Sequence, residues 1–217
     1  MLDILYQDEW IIAVDKPAGQ LVHPADEPKP DDEVTMKILR DQIGQNVETI
    51  HRLDRPTTGV LLFGLCRNTA KKLRRFFETQ QISKNYLALV HGTPHEQEWS
   101  CEEALQKNAD SPRKPARTDF KVIQQWGKFT LLEASPRTGR FHQIRRHLQL
   151  CEFPIVGDYR YSGIALSEKT TTHIGIGTRM LLQASKIEFP HPITDKQVII
   201  EAPLDPAFKI ARDSLCM

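Results

Sequence analysis

The spacing of apolar and polar positions changes several times along the chain, and each change predicts an element. Residues 3–14 hold two short apolar stretches around Gln7-Asp8-Glu9, which predicts two strands and a turn, ended by Lys16-Pro17-Ala18-Gly19. A loop rich in Pro and Asp runs from His23 to Asp32, where Asp31 or Asp32 is placed to cap a helix with Val34, Ile38 and Ile43 on its apolar side and Gly44 as its stop. Residues 59–65, GVLLFGL, form an almost unbroken apolar run of strand length, the pattern of a strand covered on both faces. Asn68 is placed to cap the next helix, in which Ala70, Leu73, Phe76 and Phe77 recur at three- and four-residue steps. Lys71, Lys72, Arg74 and Arg75 fall on its other side, so this helix carries a basic face.

Residues 82–90 alternate, with Lys84, Tyr86, Ala88 and Val90 on one face and Asn85, Leu87 and Leu89 on the other, and Gly92 closes the strand. The polar segment from Thr93 to Ala116 reads as a flexible excursion, and strands follow at 118–124 and 129–134. After Pro136-Arg137-Thr138-Gly139, a helix from about Phe141 to Cys151 would turn Phe141, Ile144, Leu148 and Cys151 inward and His142, Arg145, Arg146 and Gln149 outward. Residues 181–189 and 196–202 predict two further strands. Strands in clusters, with few helices between them and no internal repeat, predict an α+β domain built on a largely antiparallel sheet.

Composition narrows the class. Of 217 residues, 40% are hydrophobic and 26% charged, which is globular usage and excludes collagen, coiled coil and wholesale disorder. This length suits one domain over residues 1–217. No apolar run reaches the roughly 18 residues of a membrane span. Asp3, Asp8 and Glu9 stand where a secretory signal would be basic and then apolar, so the expected location is the cytoplasm, with no membrane partner. Cys66, Cys101, Cys151 and Cys216 include no close pair, so reduced thiols and no zinc are expected.

The net charge of +1 conceals a distribution. From His51 to Tyr86 there are eight Lys or Arg against two acids, and from Pro112 to His147 nine against two, whereas the first fifty residues hold eleven acids against four bases. Two basic windows suit a polyanion, although each alone could be the solvated face of an amphipathic element.

The same windows hold the chemically unusual strings. In His51-Arg52-Leu53-Asp54-Arg55-Pro56-Thr57-Thr58-Gly59 an acid is flanked by two arginines, whose charges favour its ionised form, and Pro56 and Gly59 constrain the loop. That suits a nucleophile or base, or else an ion-paired surface turn. Residues 135–147, SPRTGRFHQIRRH, form a turn entering a helix, an anion site for a phosphate or a protein carboxylate. His142 and His147 are five apart and make a poor metal pair, so no metal is expected.

Taken together, the chain resembles the RluA-type pseudouridine synthases. The strings that carry the likeness are HRLDRPTTGVLLFG at 51–64, KNYLALVHG at 84–92 and LLEASPRTGRFHQIRRHL at 131–148, with VDKPAGQLVHP at 14–24 and LLQAS at 181–185 in support. RDQIGQ before the first string, KPARTDF and the doubled arginine of QIRRH are most similar to the TruC branch, which modifies transfer RNA. Thr57-Thr58-Gly59 stands where the family often has Thr-Ser-Gly, keeping a hydroxyl.

The resemblance implies a pseudouridine synthase fold, no cofactor, a monomer and no appended S4 domain. It implies that Asp54 is the catalytic carboxylate, that Arg145 pairs with it, and that Tyr86 stacks on the target uracil with its hydroxyl available for proton transfer. Leu181 would pack near the flipped base, and Arg52 would occupy the space that base leaves. His51, Arg55, Lys71, Lys72, Arg74, Arg75, Lys114, Arg117, Arg137 and Arg140 are further candidates for RNA contact. The implied target is a transfer RNA, at uridine 65. The alternatives are a ribosomal RNA uridine and a non-catalytic RNA-binding protein, while a hydrolytic nuclease lacks a metal cluster or acid–base pair in the sequence.

Overall fold

The computed structural model describes residues 1–25, 27 and 29–216; Asp26 and Pro28, in the loop rich in Pro and Asp, lie outside them. Among the described residues the strands are β1 (Asp3–Gln7), β2 (Ile11–Lys16), β3 (Glu48–Thr49), β4 (Thr58–Gly64), β5 (Ser83–His91), β6 (Glu98–Cys101), β7 (Thr118–Trp126), β8 (Phe129–Pro136), β9 (Leu182–Pro190) and β10 (Gln197–Glu201). The helices are α1 (Thr35–Ile43), α2 (Arg67–Glu78), α3 (Gln143–Leu150), α4 (Ile164–Ile174) and α5 (Pro206–Leu215). The class is α+β, and no described helix is long and apolar enough to cross a membrane. The chain divides into two compact units, one of residues 1–84 and 184–203, the other of residues 85–183 and 204–217.

In the first unit β2 lies between β1 and β4, antiparallel to both, and β10 is antiparallel to β9. Every residue of β4 is buried, as its apolar run predicts. Leu62 and Val60 meet Ile11 and Ala13 of β2, Leu73 of α2 and Phe189 of β9 in one core. Gly59 is required by its surroundings as well as its φ of 102°: a Cβ there would lie 2.1 Å from the Ala184 carbonyl oxygen. Two helix starts differ from expectation. α1 begins at Thr35 and α2 at Arg67, and neither has a side-chain cap. Asp32 is occupied elsewhere, accepting from the Lys29 amide and pairing with Arg55, which competes with capping.

In the second unit β8 pairs with β5 and β7, and β6 pairs with β7, all antiparallel. The expected excursion from Thr93 to Ala116 is instead tied down. β6 lies inside it, its Trp99 stacks on Phe120 with ring centroids 5.2 Å apart, and Cys101, Leu105 and Ala116 are buried. Ile144 and Leu148 of α3 face this core, which also holds Phe120, Leu132 and Met180. α4 and α5, which the sequence reading did not anticipate, bring Ile174, Ala207, Phe208 and Ala211 to a second core with Leu89 and Val156. α5 starts in a readable way, because the Asp205 carboxylate accepts from the Ala207 amide and Pro206 occupies the first turn.

Candidate active site

The Asp54 loop belongs to the first unit, between β3 and β4, and its backbone is fastened from several sides. The Thr57 amide donates to the Asp54 carbonyl at 3.0 Å, and the Gly19 amide to the Arg55 carbonyl at 2.8 Å. Lys16, at the end of β2, is fully buried, and its ammonium donates to the carbonyls of Pro17 at 2.8 Å, Arg55 at 3.2 Å and Thr57 at 2.9 Å. A buried ammonium is tolerated only when its N–H groups find acceptors, and here two of the carbonyls belong to the segment after Asp54. Leu53, Thr57 and Thr58 are buried while Asp54 stays partly exposed, so the loop is pinned on either side of its carboxylate. Lys16→Met would take the ammonium from all three carbonyls, of which Arg55's keeps the Gly19 amide, at a cost of about 3 kcal/mol, or roughly 6 to 12 °C in thermal midpoint. Calorimetry checks this, and an unchanged midpoint would show that the ammonium does not hold the loop.

The arginines beside Asp54 have other partners. Arg52 is exposed and donates to His23 Nε2 at 3.1 Å. Arg55 donates to the Gly19 carbonyl at 2.8 Å and pairs with Asp32 at 3.0 Å. His51 turns its ring inward, where Nε2 accepts from the Leu62 amide at 3.0 Å and the ring lies 5.0 Å from that of Phe77. Burial, with Lys84 nearby, pushes its pKa down to about 3, so the ring is neutral and adds no positive charge to an RNA surface.

An unfolded imidazole takes its proton near 6.5, so between that value and about 3 the unfolded chain binds more protons than the folded one. Stability therefore falls as pH drops through this window, by up to about 1.4 kcal/mol per unit. Urea midpoints measured from pH 7 to 4 are expected to fall more steeply for the wild type than for His51→Gln; parallel curves would contradict the buried neutral ring.

The second unit holds Tyr86, Arg145 and Leu181. Tyr86 lies on β5 opposite Ala134 of β8, partly buried against the core of that unit, and neighbouring Asn85 donates to Ser135 Oγ at 3.2 Å. Arg145 is buried, not on the outer side of its helix as the helical pattern suggests. Its Nε and Nη2 donate to the two carboxylate oxygens of Asp158, at 2.7 and 2.8 Å. Such a forked pair fixes the guanidinium plane.

Asp158 is 1% exposed and also accepts from the amides of Arg160 and Tyr161. It is held by the strand-like segment before it, where the Val156 amide donates to the Leu89 carbonyl and the Leu181 amide to the Val156 carbonyl. Gly157, with φ 75°, allows the turn, since a Cβ would lie 1.9 Å from the Arg179 carbonyl oxygen. The sequence reading missed Asp158. Its signal was an acid directly after an apolar pair and a glycine, Ile155-Val156-Gly157-Asp158, together with the need of any buried arginine for a carboxylate.

α3 is set in place by polar contacts. Gln143 Oε1 accepts from the Arg140 amide and Thr138 Oγ1, and its Nε2 donates to the Arg117 carbonyl. His147 is fully buried between Thr118 Oγ1 and the Glu103 carbonyl, and burial lowers its pKa. Leu181 departs from expectation. It has no exposed surface and packs with Leu89, Val156, Ile176 and Phe208, so it has no surface to offer a base.

The candidate phosphate contacts divide. Lys71 and Arg75 on α2 and Lys114 are exposed. Lys72 donates to the Pro192 carbonyl and Arg140 to the Pro115 carbonyl, contacts that orient the side chains and leave their charge uncompensated, whereas Arg74 donates to the Thr49 carbonyl and also pairs with Glu48 at 3.6 Å. Arg117 and Arg137 line an open cleft of about 370 Å³ beside β6–β8, but both pair with Asp119, at 2.9 and 2.6 Å. Burial raises the pKa of that carboxylate, but hydrogen bonds from Ser100, Arg137 and Arg117 outweigh it and hold it at about 2, so the cleft is not simply cationic. Among the described residues no cluster of His, Cys, Asp or Glu has the form of a metal site.

The chain is similar to known proteins in sequence and in fold. Residues 10–150 match the family model described as RNA pseudouridylate synthase. The tRNA pseudouridine synthase C of Pasteurella multocida (strain Pm70) is 40% identical over 94% of this chain and 92% of its own. That of Vibrio vulnificus (strain CMCP6) is 39% identical over 94% and 91%. Among solved structures, Human RNA Pseudouridylate Synthase Domain Containing 4 aligns with a TM-score of 0.81 at 23% identity, covering 99% of this chain and 93% of that one, a likeness of fold. Human RNA Pseudouridylate Synthase Domain Containing 1 aligns at 0.79 with 25% identity, over 95% and 84%.

Proposed function

Since the chain belongs to the RNA pseudouridylate synthase family and is thereby an isomerase of RNA uridine, we propose that its substrate is a transfer RNA and that Asp54 is its catalytic carboxylate. The reaction breaks the bond between uracil N1 and ribose C1′, turns the base and joins C1′ to C5; the C5 proton leaves and N1 regains one. Product and substrate have the same atoms, so the protein must supply an anion to start the exchange, a donor and acceptor for protons, and a place for the turned base.

Asp54 supplies the anion, by attack on a sugar or base carbon or by taking a proton. Its loop suits this, because Lys16 and Gly19 fix the backbone just after it and leave the carboxylate partly exposed. Tyr86 offers a ring for stacking and a hydroxyl for proton transfer. The resemblance gives Arg145 the task of keeping the carboxylate charged, and the forked bond to Asp158 suits it to that task by holding the guanidinium still. Arg52, exposed on the same loop as Asp54, is positioned to fill the space a displaced base leaves.

The observation that carries the tRNA reading is the likeness, over nearly the whole chain, to proteins named for that substrate. The finer target, uridine 65, belongs to the same proposal. Mapping pseudouridine by carbodiimide chemistry in total RNA from cells with and without the gene tests it. One tRNA uridine is expected to lose its modification. A site lost from ribosomal RNA instead would overturn the tRNA substrate, and no lost site would favour a binding protein without turnover.

A further inference from the structure

Phe141 stands just before α3 with 41% of its surface exposed, where the helical pattern places it inward. A single exposed phenylalanine is ordinary on a protein surface. This one is part of an assembly. The ring of His142 is stacked with it, centroids 3.7 Å apart and planes 20° apart. His142 adopts a φ of 52°, a left-handed conformation that a residue other than glycine reaches only at a cost. The ring is held there by Tyr161, whose hydroxyl lies 2.9 Å from Nδ1 and whose ring stands edge-on at 5.7 Å.

Arg160 is exposed, and its guanidinium lies 5.9 Å from the Phe141 ring centroid and 5.8 Å from that of Tyr161. Arg145 lies 5.0 Å from the opposite member, Tyr161, so the assembly rests on the buried Arg145–Asp158 pair. All of these residues belong to the second unit. The result is a stack of two rings with Phe141 the more exposed, stiffened by Tyr161 and with the Arg160 guanidinium over the Phe141 ring.

We propose that the Phe141–His142 stack with Arg160 is a platform on which an unpaired or displaced base of the RNA substrate stacks, its phosphate facing Arg160. The inference rests on the RNA reading above and deepens it. RNA is favoured by charge: the window from Pro112 to His147 carries nine bases against two acids, and aromatic rings edged by guanidinium groups are how proteins hold single-stranded bases. An apolar protein partner would gain little from Arg160.

The test is the affinity of the purified protein for an unmodified tRNA transcript, by fluorescence anisotropy. Phe141→Ala is expected to weaken binding about tenfold and Phe141→Trp to retain it, since one stacked base is worth about that much. Arg160→Ala is expected to weaken binding and to lower the slope of log affinity against log salt by about one. Leu150→Ala, at an exposed apolar position at the far end of α3, should bind as the wild type does. Thermal midpoints of all four should stay near the wild type's, and Phe141→Trp gives a readout should Phe141→Ala fold poorly.

Wild-type affinity in Phe141→Ala would overturn the platform, as would a change of oligomeric state in that variant with RNA affinity intact, which would make the face a contact between copies. If the wild type binds tRNA and loses affinity on Phe141→Ala but forms no pseudouridine, the platform stands and the catalytic reading fails.

Discussion

Asp158→Ala is expected to cost about 3 to 5 kcal/mol of stability, because it removes the carboxylate that grips two nitrogens of the Arg145 guanidinium at 6% exposure and takes the acceptor from the Arg160 and Tyr161 amides. The loss should appear in urea unfolding as a lower midpoint at unchanged slope. A more informative variant pairs Asp158→Leu with Arg145→Met. Replacing both members of a buried ion pair by apolar groups of similar size commonly restores stability. Activity should not return with it, since the role proposed for Arg145 needs the guanidinium itself. Recovery of both would mean that the pair serves only to hold the fold. A small effect of Asp158→Ala on midpoint and rate together would show that the fork is dispensable.

Asp54→Asn carries the largest expected effect on rate. The change is nearly isosteric and sits on a partly exposed loop whose anchors, the Lys16 ammonium and the Gly19 and Thr57 amides, bind main-chain carbonyls. Folding and thermal midpoint should therefore stay within about 0.5 kcal/mol of the wild type. Turnover should fall by at least about 10⁴-fold, because an amide can neither attack carbon nor take a proton at neutral pH. RNA affinity should hold or rise, one negative charge having been removed from a surface that meets phosphates. This pattern, with fold and binding kept and chemistry lost, separates a catalytic carboxylate from an acid that merely shapes the loop, whose removal would lower stability and rate together.

What the sequence made legible follows the strength of its periods. β4 was readable because seven consecutive buried positions leave no polar face to confuse the pattern, and β5 because its apolar run from Leu87 to Val90 is of strand length and ends at Gly92. α2 was readable because its apolar and basic residues separate cleanly, although it starts two residues earlier than an Asn68 cap implies. β6 was hidden by the prolines and charges around it, and its only signal was Trp99, a ring too large to leave in solvent. α4 was hidden by a run of threonines, poor helix formers in isolation, two of which are buried against the unit's core side.

The candidate residues divide in the same way. Asp54, Tyr86 and Arg145 could be named because they sit in strings whose order and spacing resemble a family. The burial of Arg145 and its bond to Asp158 could not be read, because a helical pattern sorts residues by polarity and assigns every arginine to solvent. Leu181 shows the opposite error, an apolar residue assigned to a base when Leu89, Val156 and Phe208 enclose it. His51 and Arg55 were grouped with the RNA contacts by charge and proximity. The structure commits His51 to the Leu62 amide as a neutral ring, and Arg55 to Gly19 and Asp32. A sequence shows charge; which partner satisfies it is decided by three-dimensional packing.

The most direct measurement is release of tritium from tRNA transcript labelled at uridine C5, by purified wild-type protein and by Asp54→Asn. Release by the wild type at one equivalent per tRNA, and none above background by Asp54→Asn, is the predicted result. Equal release by both proteins, or none by a folded wild type that binds the transcript, would contradict it.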